Sequence, residues 1–155
     1  MASLQSGIYE LYLPNEGALN LQGGDDNTPV SIVQYTYDIS EKYWSLELTG
    51  EGLTATITLK NLRHKKFAGF EHTHPTSWSN VVASGSAFSF NLEEAQDQDQ
   101  GEGSLNYRIY VEDREHKNRL YLGRPSIPSS PIPCILNETR GDPWNFTWVG
   151  DMPPS

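Results

Sequence analysis

The chain is poor in cysteine, in helical periodicity and in positive charge, and each shortage excludes a class of protein. A single cysteine, Cys134, stands among 155 residues. That rules out an internal disulfide framework and any zinc cluster built on several thiolates, and a reducing compartment fits. No run approaches the roughly 18 apolar residues of a membrane span, so no membrane insertion is expected. The opening MASLQSGIYELYLP has neither the basic nor the apolar region of a signal peptide, so a cytoplasmic location is expected. Lys and Arg number 11 against 20 Asp and Glu, a net charge of −9. Nucleic-acid binding needs clustered cations, and the densest group, Arg63 to Lys66, reads as a short solvated turn. Without a secretory route, the glycosylation sequons at Asn137 and Asn145 are expected to be silent.

What the chain does contain is short alternating segments: IYELYL, VSIVQY, WSLEL, ATITL, FSFNL, YRIYV, RLYLG and WNFTWV. They are rich in Tyr, Phe, Trp, Ile, Val and Thr, with Gly, Pro, Asn and Asp between them, which is the signature of strands joined by turns. No stretch of three turns carries apolar residues at helical spacing. The chain is therefore expected to be a single all-β domain.

The segments repeat. Aromatic-led pieces begin at Trp44, Phe88 and Trp144, and three strand-like pieces precede each. Three four-stranded units follow, roughly 7–48, 52–92 and 104–149. Residues 93–103, EEAQDQDQGEG, read as an exposed flexible loop. Residues 124–133, RPSIPSSPIP, carry four prolines, so this stretch reads as a stiff loop and edge rather than a central strand. Three such units can close a barrel about a pseudo-threefold axis, which removes exposed strand edges.

Units of this size and number resemble a β-trefoil. SGIYELYLPNEGALNLQGGDDNTPVSIVQY followed by EKYWSLELTGEG is similar to the ricin-B-type lectins of mushrooms, with their G-x-Y strand, L-D-L strand, GGDN turn and Q-x-W strand. The opening MASL and the closing GDPWNFTW are also similar to mushroom β-trefoil protease inhibitors, the mycocypins. The resemblance implies a non-catalytic, calcium-free lectin, a fungus-like source and a defensive role. Its first-unit sugar site would comprise Asn20 in place of the L-D-L aspartate, with Asp26, Asn27, Tyr35 and Glu41. Lys42, Ser86 and Asp142 stand where the Q-x-W glutamine would be, and Leu122 and Gly123 make the third unit the poorest site.

The stretch FEHTHPTSW, residues 70–78, is the densest in chemistry. His72 and His74 point the same way on an extended chain, but a metal site needs a third ligand, and Glu71 points to the other face. No metal site and no cofactor are expected. No nucleophile elbow, paired-carboxylate motif or phosphate loop is present, so no catalytic residue is assigned and the chain is not read as an enzyme. Two readings remain for the stretch. In one, Trp78 stacks on sugar C–H groups while His72, His74 and Asn80 form hydrogen bonds; in the other, Trp78 covers the barrel mouth and the histidines are solvated. The GGDDN turn, 23–27, is likewise either a tight turn alone or a turn with sugar contacts. The expected partners are glycans or glycoproteins. The alternative is a protease, reached through the stiff 124–133 loop, with Arg124 suited to a trypsin-like pocket, or through Gly23 and Gly24 for a cysteine protease. Homodimer formation is left open.

Overall fold

The computed structural model describes residues 4–34, 38–50, 55–71, 75–94, 105–113, 117–125 and 132–151. The alternation read from the sequence becomes burial: along β1 (Gly7–Leu13) every second residue faces inward. Six strands form a ring: β1, β4 (Trp44–Thr49), β5 (Thr56–Asn61), β8 (Phe90–Glu94), β9 (Leu105–Glu112) and β13 (Trp144–Gly150). Each pairs antiparallel with the next, and β13 closes on β1, so the barrel has no open edge. Outside the ring lie β2 (Gly17–Asn20) with β3 (Ser31–Val33), β6 (Phe67–Gly69) with β7 (Val82–Ser84), and β10 (Arg119–Gly123) with β12 (Ile135–Asn137). A two-residue strand, β11 (Ile132–Pro133), pairs with β3 at the margin, as the prolines require. Residues 126–131 of the proline-rich stretch lie outside the described residues.

The three units share one register. Leu19 faces Ile32, Ala68 faces Ala83 and Leu122 faces Leu136; one step on, Asn20, Gly69 and Gly123 face Ser31, Val82 and Ile135. At the axis the units are tied by a cycle of backbone bonds. Val30 N–H donates to the Val81 carbonyl (2.8 Å), Val81 N–H to Cys134 (2.9 Å), and Cys134 N–H back to Val30 (2.9 Å). All three residues are wholly buried, so every one of these donors needs the partner it has.

Trp44 and Trp144 fill the barrel, each fully buried, and each indole N–H donates to a hairpin carbonyl, Leu19 at 3.0 Å and Leu122 at 3.1 Å. Their counterpart in the second unit is Phe90, not Phe88 as the sequence suggests. Phe90 pairs with Ile57 as Trp44 pairs with Tyr9 and Trp144 with Tyr107. Phe88 therefore occupies the glutamine position of the Q-x-W pattern, in place of Ser86. The Phe90 side chain has no N–H to donate, and its hairpin carries the small pair Ala68 and Ala83 where the others have Leu19 with Ile32 and Leu122 with Leu136. Phe70 and Phe88 pack against it, with ring centroids 4.9 Å apart and each within 6.0 Å of Phe90. The expected loop 93–103 is also corrected at its start, because Glu93 and Glu94 belong to β8; residues 95–104 lie outside the described residues. No helix among the described residues is long and apolar enough to cross a membrane.

Cys134 holds the position that valine holds in the other two units, and burial pushes its thiol up to about 12. Cys134→Val is therefore expected to change unfolding free energy by less than about 1.5 kcal/mol. In the wild type, Ellman's reagent should leave the thiol unmodified until denaturant unfolds the chain. Rapid modification of the native protein, or a much larger loss, would contradict this packing.

Candidate functional site

The cycle at the axis carries the turns beside it. Asn27 N–H donates to Ala83 and Ala83 N–H to Thr28, both at 2.8 Å; Trp78 N–H donates to Leu136 (2.9 Å) and Leu136 N–H to Ser79 (3.0 Å). Asn27 and Trp78 are thus equivalent, each three residues before its unit's member of the cycle, and both are left-handed, with φ of 67° and 76°. Asparagine tolerates that region because its short amide bonds locally. Tryptophan does not, and a bulky residue held there is an outlier that the surroundings must enforce. The strained residue is also 63% exposed, so neither local preference nor burial explains its presence.

Trp78 stands at a cleft of about 500 Å³. Asn27 and Pro29 from the first unit line it together with Phe70, Thr76 and Asn80 from the second, and no Lys or Arg does. The Ser77 hydroxyl oxygen in its wall is buried without a hydrogen-bond partner. A flat aromatic face, two primary amides, spare hydroxyl capacity and the Glu71 carboxylate form a surface able to take apolar C–H faces and hydroxyl groups together.

The described residues expected of a first-unit site differ in their surroundings. Asn20 is wholly buried, with neither amide atom hydrogen-bonded, so it offers nothing to a surface ligand. Asp26 is paired with Lys66 at 2.8 Å, and Glu41 with His64 Nε2 at 3.0 Å. Both partners come from the turn after β5, which folds over the first-unit hairpin. Asn27 joins Trp78 and Asn80 in the second-unit cleft instead. Tyr35, His72 and His74 lie outside the described residues. Among those that are described, no cluster of three or more His, Cys, Asp or Glu could hold a metal ion.

A second cleft, of about 420 Å³, lies in the third unit, which the sequence marks as the poorest. Leu13 at the end of β1 and Glu16 from the turn after it line one side; Arg124, Asn137, Thr139, Arg140 and Asp142 are among the other lining residues. Arg124 donates to Glu16 Oε1 at 2.6 Å. Behind Arg140 stands Glu93, whose carboxylate accepts from Arg140 Nε (2.9 Å), Arg119 (2.8 Å) and the Tyr121 hydroxyl (2.7 Å). Arg108 lies 3.8 Å away. Burial works to raise the Glu93 carboxyl, but the bonds from Arg140, Tyr121 and Arg119 outweigh it and hold the group below its usual range.

No protein-family model and no curated protein sequence matches the chain. Solved structures do. The Rhizoctonia solani agglutinin superposes with a TM-score of 0.73 at 22% identity, covering 96% of this chain and 99% of that one. A ricin B-like lectin of Macrolepiota procera, solved in complex with lactose, gives 0.69 at 18%, covering 96% and 100%. A designed threefold-symmetric protein, ThreeFoil, gives 0.67 at 18%, covering 92% and 99%. The fold is a β-trefoil. Within this trefoil, the sequence signals for Asn27, Trp78 and Asn80 lead to one cleft. The third-unit cleft went unread because its polar groups come from 16, 124 and 137–142, far apart in the chain and outside any motif.

Two outcomes test this geometry. Replacing Trp78 with Asn, the residue at the equivalent position 27, should stabilise the fold by about 1 kcal/mol and raise Tm by about 2–4 °C. Trp78→Val should lower Tm, because a β-branched residue fits the left-handed region worse. For Glu93 the lowered carboxyl contributes stability above the unfolded value of 4.5, and that contribution is lost as pH falls through the folded value. Glu93→Gln should accordingly cost about 1–3 kcal/mol near neutral pH and flatten the acid limb of the Tm–pH profile. An unchanged acid limb would mean that Glu93 does not set it.

Proposed function

We propose that the chain is a non-catalytic carbohydrate-binding protein whose principal site is the Trp78 cleft. The observation that carries this is Trp78 itself: a strained, exposed indole, fixed by its backbone bond to Leu136 and flanked by the amides of Asn27 and Asn80. Holding an aromatic face at a strain cost and against burial is the arrangement expected of a ligand platform. Its lining, with one carboxylate (Glu71) as hydroxyl acceptor and no Lys or Arg, suits uncharged sugars. The likeness to the lectin solved with lactose supports the same reading and makes lactose the first ligand to try. Binding through one stacked ring and a few amide bonds is weak per site and independent of metal ions. A defensive role in a fungal cytoplasm accompanies this proposal.

The test is a glycan array with purified, untagged protein, beside trypsin and papain inhibition on the same sample. A coherent set of bound glycans is expected. Its affinity should fall about tenfold or more in Trp78→Ala, since losing an apolar aromatic contact face costs about 1.4 kcal/mol or more, and less in Asn80→Ala. A blank array at high protein concentration, with tight protease inhibition, would replace this function with the inhibitor one.

A further inference from the structure

We infer that the open end of the barrel is a docking surface for a basic, partly apolar segment of a partner protein. The hairpins cap one end of the barrel, and the barrel strands finish at the other. There Leu48, Glu94 and Trp148 hold one position, each four residues after Trp44, Phe90 and Trp144 and on the same strand face. Leu48 is half-buried, whereas Glu94 and Trp148 are exposed.

The indole is held outside by its surroundings. Leu4 belongs to the buried core, the Tyr9 hydroxyl donates to the Gln5 carbonyl (2.8 Å), and Ser6 Oγ accepts from the Leu48 N–H (2.9 Å). Residues 4–6 therefore close the mouth from within. The Tyr9 ring stands edge-on to the indole, with centroids 5.4 Å apart. Gly7 lets the indole lie against β1, because a Cβ there would overlap the ring. A bulge then adds a second apolar side chain. Ile8 pairs with Gly150 and Tyr9 with Trp148, so the ladder skips Val149. Bulges re-aim side chains, and here Trp148 and Val149 are 42% and 39% exposed side by side. Neither residue lines either cleft.

Charge selects the partner. Glu94 pairs with Tyr107 across β8 and β9, which puts its side chain on the face that looks into the mouth. Asp151, directly after β13, is exposed as well. Residues 4–7, 48–50, 94, 105 and 148–151 include no Lys or Arg. An indole face attracts cations, carboxylates steer them, and the aliphatic stems of Lys and Arg cover apolar surface. Anionic lipid headgroups would be repelled by the same carboxylates. A lone small cation would leave Val149 uncovered, whereas a segment carrying both cationic and apolar side chains covers it.

The experiment is a titration of the ¹⁵N-labelled full chain, read at the indole N–H signals of its four tryptophans. The probes are ten-residue peptides alternating Lys with Leu, Lys with Ser, and Glu with Leu, and separately tetramethylammonium and lactose. The Lys–Leu peptide is expected to move the Trp148 indole and the amides of Glu94, Val149 and Asp151, leaving the Trp78 indole in place. Trp148→Ala should weaken it about tenfold or more, and Glu94→Gln and Asp151→Asn about two- to fivefold each. Gly7→Ala, which displaces the indole without removing it, should weaken it too. Raising salt from about 50 to about 500 mM should also weaken it. The wild-type peptide and salt series stand even if a variant fails to fold, which a thermal melt will show. A Lys–Leu peptide that leaves Trp148 unmoved, or a Lys–Ser or Glu–Leu peptide that binds as tightly, overturns the inference. So does tetramethylammonium acting at the same concentration, which would make this a small-cation site, or a Trp148-dependent dimer in sedimentation without peptide, which would give the face to a second copy. Lactose moving Trp78 while Trp148 stays silent leaves the carbohydrate function standing without this surface. A response at Trp148 with a silent Trp78 cleft does the reverse.

Discussion

Three backbone amides, those of Val30, Val81 and Cys134, have nowhere to bond except each other's carbonyls. Each is sealed from water, so an unmade bond would carry its full desolvation cost. The cycle closes only if all three hairpins meet the axis at the same depth and tilt. That condition fixes the register of every outer hairpin and, through the flanking bonds, the angle at which residues 27 and 78 leave the cap. Cys134 is explained in the same way: the position requires a small, apolar, wholly buried side chain, and its thiol chemistry plays no part.

The same frame then yields three different surfaces. Side chains rather than backbone decide which is open. In the first unit Asn20 fills the floor, and His64 and Lys66 bridge the walls to Glu41 and Asp26. In the second, an indole takes the place of an asparagine and stands clear of the cap. In the third, Gly123 stands at the Asn20 position with the Asn137 amide against it, and the cleft beside it is lined by Arg124 and Arg140 with Glu16 and Asp142. A threefold backbone with unequal clefts separates stability, which the shared core supplies, from recognition, which each unit is free to vary.

The strands and the threefold repeat were legible because burial on one face forces period-two alternation. The misplacement of the second-unit aromatic has the same origin: in AFSFNL, Phe88 and Phe90 lie on one face, and alternation alone cannot say which points down the axis. The site was legible only where signals were local, as for Trp78 and Asn80. That Asn20 is sealed depends on packing from outside its own strand. That Asp26 and Glu41 are engaged depends on a turn 23 to 40 positions later. The left-handed geometry of Trp78 left no trace either, since sequence preference argues against it and it is held by the Thr76–Ser79 turn bond together with the bond to Leu136.

Ring closure has a consequence for biosynthesis. The first barrel strand pairs with the last, Ile8 through Tyr12 against residues of Trp144–Gly150. While the chain is still emerging from the ribosome, β1 can pair with β2 and β4, but its other margin has no partner until the final strand arrives. For that interval an apolar, regularly alternating edge stands open to other nascent chains. The period of greatest aggregation hazard is therefore set by translation time across the third unit, and slow codons or stalling there would cost yield even though the finished barrel has no edge at all.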